Sequence, residues 1–176
     1  MAKKKQQKPQ AKLNPIEYIK TKARTLPIYK CYINTDWQEK GLAHIIIARQ
    51  HSNGKFTFGV YVVDTFCKGL DGTTARFNEG IDVLEDYIAD YIPQKEEFLT
   101  LINIDYVLAH NIIYGAIAFA EEYGYKPQKN FEITQYILEE DTEDIELMEI
   151  EFGVDGKPML IDREKEEDEE DDSLEI

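Results

Sequence analysis

Residues 104–124, IDYVLAHNIIYGAIAFAEEYG, are the longest stretch of the chain in which apolar residues recur at the spacing of an α-helix. At about 100° per residue, one half of this helix is continuously apolar, and we expect that half to be buried. The opposite half is weakly polar and carries a hydrogen-bonding patch of His110, Asn111 and Tyr114. This half could face solvent, a second layer of the protein or a ligand.

Upstream of this helix, two runs of β-branched and aromatic residues predict a β-hairpin. Residues 42–50 (LAHIIIARQ) and 56–63 (FTFGVYVV) flank the dipeptide Asn53-Gly54. Asn-Gly between such runs is the strongest short-range hairpin signal. Residues 28–33 (IYKCYI) alternate in polarity and predict a further strand.

The remaining elements are predicted from shorter patterns. Asn14 as an N-cap, with Pro15 and Glu17 after it, predicts a short helix over residues 14–23. Residues 79–92 show the i, i+3, i+4 spacing of an amphipathic helix, and residues 95–102 are expected to form another helical segment. Residues 131–140 alternate imperfectly and predict a strand. The Asp-Gly pair at 155–156 predicts the turn of a second hairpin.

This order of elements predicts an α+β fold. We expect an antiparallel sheet of about five to six strands, containing two hairpins, that packs against a central long helix and one or two further helices. A half-open barrel wrapped around the long helix is the alternative.

Charge divides the chain into three parts. Residues 1–13 contain five lysines and no acid, which predicts a disordered basic arm. Residues 14–161 are expected to form a single α+β domain, and residues 162–176 a disordered acidic tail. Residues 139–176 hold 19 of the 35 acidic residues and three of the 20 basic ones, so the rest of the chain is close to neutral despite a net charge of -15.

Composition argues against several classes of protein. Two cysteines, Cys31 and Cys67, cannot form a disulfide framework. The lysine-rich start lacks the apolar stretch of a secretory signal, and no apolar run reaches the ~18 residues of a transmembrane helix. We therefore expect a cytoplasmic protein without a membrane association. His44 and His51 belong to no metal-binding spacing, so no metal and no cofactor are predicted.

One group of residues could support catalysis. Cys67, His110 and Asp64 are the residue types with which cysteine hydrolases activate a nucleophile. Residues 64–78 (DTFCKGLDGTTARFN) read as a long loop after a central strand, which is a common place for a site. A hydrolase or transferase would use this loop against the helix at 104–124, although the spacing does not require these residues to meet. Ordinary structural roles are the simpler explanation of both Cys67 and His110.

Binding residues are predicted near the same helix. Asn111 and Tyr114 are candidate ligand contacts because burial on the sheet does not account for them. Trp37 is a candidate for stacking, although a cap over the sheet edge explains it more simply.

The basic arm is a candidate for binding nucleic acid. Its lysines are Lys3, Lys4, Lys5, Lys8 and Lys12. Polyanions bind such clusters in a salt-dependent way, and the acidic tail could compete with RNA for them. Two solubilising ends with no partner are the simpler alternative.

A set of positions resembles a family of uncharacterised conserved bacterial proteins, Bacteroides-like, with no established activity. The positions are Trp37, Gly41, Leu42, Ala43, Ala48, Arg49, Tyr61, Val63, Asp64, Cys67 and Gly69, with the stretches LAHNIIYGAIAFAEEYGYKP and EFGVDGKP. The resemblance covers roughly residues 28–161. The family pattern Cys-x-Gly-(Leu/Val)-Lys-Asp departs here to Cys-Lys-Gly-Leu-Asp-Gly at 67–72. The resemblance implies no substrate, cofactor or catalytic residue.

These observations favour a non-catalytic binding or regulatory module with a protein partner. A cysteine- or histidine-dependent hydrolase or transferase is the first alternative. An RNA- or ribosome-associated protein that uses the lysine arm is the second.

Overall fold

A computed structural model of the chain describes residues 14–89 and 100–162. The predicted basic arm (1–13) and nearly all of the predicted acidic tail (162–176) lie outside the described residues, so their roles stay predictions.

Five antiparallel strands form one open sheet, which confirms the predicted α+β class. The strands are β1 (Ile28–Asn34), β2 (Leu42–Gln50), β3 (Phe56–Asp64), β4 (Gly69–Glu79) and β5 (Leu101–Ile104). Their order in the sheet is β4-β3-β2-β1-β5. Because β4 and β5 lie at opposite edges, the sheet is open and the barrel alternative is wrong.

Five α-helices accompany the sheet within the described residues. They are α1 (Pro15–Lys22), α2 (Trp37–Lys40), α3 (Ile81–Ala89), α4 (Tyr106–Glu121) and α5 (Phe131–Thr134). The helix α1 begins where its sequence predicts, since Asn14 Oδ1 accepts a hydrogen bond from the amide of Glu17 at 2.8 Å.

Helices cover both faces of the sheet. On one face, Ile45 and Ile47 of β2 belong to the larger core cluster together with Ile112 of α4. On the other face, Ile46 of β2 packs in a second cluster with Leu84 of α3. Burial on both faces explains why β2 is a continuous apolar run rather than an alternating one.

The hairpin predicted at Asn53-Gly54 is confirmed. Strands β2 and β3 pair from Gln50↔Phe56 to Leu42↔Asp64 without a shift of register. Gly54 has a φ of +81°, a conformation that glycine adopts without steric cost.

The long loop predicted at residues 64–78 is wrong, because most of it forms the edge strand β4. Only a short turn separates β3 from β4. The register shifts between the pairs Val62↔Gly72 and Val63↔Leu70, so β4 contains a β-bulge at this point. Glycine and threonine therefore mark an irregular strand here rather than a loop.

The strand predicted at residues 131–140 is also wrong. This segment forms α5 and a 3₁₀ helix at Gln135–Ile137. The carbonyl of Thr134 accepts a hydrogen bond from the hydroxyl of Tyr61 at 2.7 Å, so the segment lies over a face of the sheet and not beside an edge. A short apolar run does not by itself distinguish a buried helix from a strand.

Two further predictions are corrected in part. Asp155 and Gly156 form the predicted turn, with φ values of +53° and +73°, but the described residues around it make one isolated bridge and no second hairpin of strands. Of the helix predicted at 95–102, residues 101 and 102 belong to strand β5 instead, and residues 95–99 lie outside the described residues.

Candidate functional site

The weakly polar face of α4 is covered by a segment of the same chain. Residues 139–153, which we call the strap, cross this face and make hydrogen bonds to it at several points. As a result His110 is only 1% exposed and Asn111 only 7%. The face thus meets a second layer of the protein.

A buried arginine binds the root of the strap, by which we mean its beginning at Glu139. Arg49 of β2 donates hydrogen bonds to the carbonyl oxygens of Ile137 at 2.6 Å and Leu26 at 2.5 Å, and to the carboxylate of Glu139 at 2.7 Å. The hydroxyl of Tyr106 accepts a hydrogen bond from the Glu139 amide at 2.7 Å. One guanidinium group therefore joins the N-terminal part of the chain, the sheet and the strap.

Asn111 clamps the middle of the strap. Its Nδ2 donates to the carbonyl of Glu146 at 2.8 Å, and its Oδ1 accepts from the amide of Met148 at 2.9 Å. The same Nδ2 also donates to the carbonyl of Val107, one turn back in α4, at 2.8 Å. The amide thereby binds the main chain on both sides of Leu147, whose side chain is 91% exposed.

Close packing against a glycine fixes the end of the strap. A Cβ atom on Gly115 would lie 2.6 Å from the ring of Phe152, so this glycine admits the ring against the helix. The Phe152 ring stacks on Phe119 with a centroid distance of 6.2 Å. The amide of Gly153 donates to the carbonyl of Thr65 at 2.9 Å, which attaches the strap to the turn after β3.

His110 lies beneath the root of the strap. Its ring packs against that of Tyr114 with a centroid distance of 4.6 Å and a tilt of 38°, and Nε2 is 3.3 Å from the carbonyl oxygen of Glu139. Burial lowers the pKa of His110 below its usual 6.5, while the Glu139 carbonyl and the charge of Asp141 oppose that shift. Burial also raises the pKa of Tyr114 to about 12. Both side chains are therefore uncharged near neutral pH.

A cleft of about 800 Å³ lies between α4 and the strap, and we call it the strap cleft. Its lining includes Tyr114, Gly115 and Phe152, which are largely apolar. Four acidic residues also line it, namely Asp141, Glu143, Glu146 and Glu149.

Two smaller clefts adjoin the strap. One, of about 710 Å³, runs from Asn103 at the end of β5 along the start of α4. The other, of about 400 Å³, contains Trp37 and Phe66. Met148 lines all three clefts. Trp37 is thus a wall of a cleft next to the strap.

The candidate catalytic residues have different neighbours in the structure. Asp64 Oδ1 accepts hydrogen bonds from the amides of Phe66 at 3.0 Å and Cys67 at 3.1 Å, so this carboxylate orders the turn after β3. Gly69, the first residue of β4, lies against Ala116 and Ala120 of α4, because a Cβ atom there would be 2.8 Å from Ala120 Cβ.

His110 belongs to another part of the helix. Six to ten residues separate it from Ala116 and Ala120, which corresponds to about 9–15 Å along the helix axis. Cys67 is 2% exposed, and its thiol raises the pKa of the neighbouring Tyr125 above the usual value. Cys67 and Asp64 are therefore close together, whereas the contacts of His110 are with Tyr106, Tyr114 and the carbonyl of Glu139.

Two important residues were not identified from the sequence. Arg49 is an arginine directly after the apolar run at 45–48 of a β-strand, and Gly115 is a glycine in the middle of a helix. Both breaks of pattern are visible in the sequence, and each marks the place where the strap is held.

Among the described residues, no group of three or more His, Cys, Asp or Glu side chains could hold a metal ion. Within the same residues, no helix is long and apolar enough to cross a membrane. Comparison of the chain with protein-family models, curated proteins and solved structures finds no match.

Proposed function

We propose that this protein is a non-catalytic binding module that holds a basic segment of a partner protein in the strap cleft. The observation that carries the proposal is the composition of that cleft, which combines an apolar floor with four acidic residues.

Both features suit a cationic protein segment that also carries apolar side chains. Apolar and aromatic groups in a recessed site supply most of the binding free energy of protein interfaces. Charges at the rim increase the association rate and select partners of opposite charge. The strap cleft offers Tyr114 and Phe152 for the first role and Glu143 and Glu146 for the second.

The alternatives have less support. A cysteine- or histidine-dependent enzyme needs Cys67 and His110 to meet, whereas the amide of Cys67 bonds to Asp64 and His110 contacts Tyr114 and the carbonyl of Glu139. The RNA-binding alternative depends on lysines that lie outside the described residues. Two free cysteines, Cys31 and Cys67, suit a reducing compartment, so we propose that the partner is met in the cytoplasm.

The proposal can be tested with a fluorescent 12-residue peptide of alternating Lys and Leu. A peptide of alternating Glu and Leu serves as its control. We expect fluorescence anisotropy to show salt-dependent binding of the Lys peptide and none of the Glu peptide, because salt screens exposed charges.

Charge-reversal variants locate the site. The double variant Glu143→Lys, Glu146→Lys should weaken binding of the Lys peptide about tenfold, which corresponds to about 1.4 kcal/mol. The control Glu85→Lys, Asp86→Lys changes the net charge equally on α3, at the opposite face of the sheet, and should weaken it no more than about twofold. Equal losses in both variants would show that binding follows net charge alone and would refute the proposed site.

A further inference from the structure

The main chain of β5 has a definite orientation at the edge of the sheet. The amide of Thr35 donates to the carbonyl of Thr100 at 3.1 Å, so this opposed pair is hydrogen-bonded. Hydrogen-bonded and non-hydrogen-bonded pairs alternate in antiparallel strands. The pair Ile33↔Ile102 lies two residues from Thr35 and Thr100, so it must also be hydrogen-bonded. The N–H and C=O groups of Leu101 and Asn103 therefore point away from β1.

The opposite edge of the sheet, at β4, is covered by another part of the chain. At β4, the loop after α4 supplies hydrogen bonds from the Gln128 amide to the Leu70 carbonyl at 3.0 Å and from Asn130 Nδ2 to the Thr73 carbonyl at 3.4 Å. The chain thus covers that edge with its own loop, a usual protection against strand pairing.

A cleft lies beside the edge at β5. It has a volume of about 710 Å³ and contains Asn103, Asp105, Glu146 and Met148. Glu146 and Met148 also line the strap cleft, so the two clefts meet at this part of the strap. An extended segment bound in the strap cleft can continue along β5.

We propose that the basic segment of the partner binds as an extended strand and pairs with the main chain of Leu101 and Asn103. This inference rests on the proposed function, and it adds the conformation of the bound segment and the atoms that bind it. Addition of a strand to an open sheet edge is a common mode of peptide recognition, in which main-chain hydrogen bonds give affinity and alternate side chains give specificity.

The charges near the edge define the pattern of the segment. Side chains of a strand point alternately to its two faces, so every second residue of the partner faces the same way. Asp105 and Glu146 are acidic, whereas Ile102 on the edge strand is apolar and 45% exposed. The segment that fits alternates Lys or Arg with aliphatic residues.

Hydrogen exchange of individual amides measured by NMR tests this pairing. On addition of the Lys-Leu peptide, exchange at Leu101 and Asn103 should slow at least tenfold. The amides of Ile102 and Ile104 already face β1 and serve as internal controls that should change little. Unchanged exchange at Leu101 and Asn103 in the complex would overturn the inference, as would protection of these two amides in the free protein.

A chemically matched peptide separates this inference from the proposed function. N-methylation of every residue removes the main-chain donors on both edges of the peptide strand and leaves the charges and side chains in place. We expect the methylated peptide to bind at least tenfold more weakly than the parent. Equal binding of both peptides would overturn strand pairing and leave the proposed function standing, whereas binding of neither would overturn both.

Discussion

Replacement of Arg49 by methionine should destabilise the protein strongly. The side chain is 2% exposed, and methionine fills a similar volume, so the substitution mainly removes hydrogen bonds. The carbonyl oxygens of Ile137 and Leu26 lose donors at 2.6 Å and 2.5 Å. Each buried carbonyl left without a partner costs about 1–3 kcal/mol.

Loss of the ion pair adds less to this cost. Glu139 is 44% exposed, so its carboxylate returns to water when Arg49 is removed. The carbonyl of Arg24 lies 3.3 Å from Arg49 and contributes a weaker bond. We therefore expect Arg49→Met to lower the free energy of unfolding by about 3–5 kcal/mol, most of it from the two strongly bonded carbonyl oxygens that lose their donor.

The matched control is Arg24→Met. Arg24 donates to the carbonyls of Leu138 at 2.7 Å and Gln135 at 3.3 Å, but its side chain is 26% exposed, so water can replace it. A loss of about 1 kcal/mol is expected there. Urea unfolding followed by the fluorescence of Trp37, the single tryptophan, measures both variants through their midpoints. A loss below about 1 kcal/mol for Arg49→Met would refute this account of the strap root.

Two further predictions concern titratable groups. Burial lowers the folded-state pKa of His110 below its usual 6.5, so the unfolded chain binds the proton first as the pH falls. The stability that neutral His110 contributes is therefore fully present above about pH 6.5. It is lost as the pH drops towards the folded-state pKa. In urea unfolding between about pH 7 and pH 5, the variant His110→Gln should lose less stability than the wild type. It should still show the loss that comes from His51, because burial also lowers the pKa of that histidine. A pH dependence of stability equal to that of the wild type would contradict this prediction. Cys31 and Cys67 are 1% and 2% exposed, and burial raises the pKa of Cys31 to about 12, so a disulfide reagent should react with both thiols only on the timescale of unfolding. Rapid labelling of Cys67 in the folded protein would instead support the enzyme alternative.

Local patterns in the sequence predicted the elements whose stability is largely local. The periodicity of residues 104–124 predicted α4, and Asn53-Gly54 between two β-branched runs predicted the β2–β3 hairpin. The capping pattern at Asn14 likewise predicted the start of α1. In each case residues a few positions apart supply the hydrogen bonds or the buried face.

Elements that depend on distant partners were predicted less well. Residues 69–79 are rich in glycine and threonine and form a strand only because β3 offers them an edge to pair with. Residues 131–138 contain apolar side chains that suit either a strand or a helix, and they are helical because they lie over a face of the sheet, where Tyr61 bonds to Thr134.

The sequence by itself determined the α+β class, the central helix and the unusual polar patch on it. Only the tertiary structure decided what that patch does. His110 and Asn111 bind the main chain of Glu139, Glu146 and Met148, which lie 29 to 37 residues further along the chain. Main-chain hydrogen bonds of this kind depend little on the side chains of the strap, so no sequence pattern in residues 139–153 predicts them. The strap and the clefts around it therefore arise from contacts that form only when the helix, the sheet and the strap are folded together.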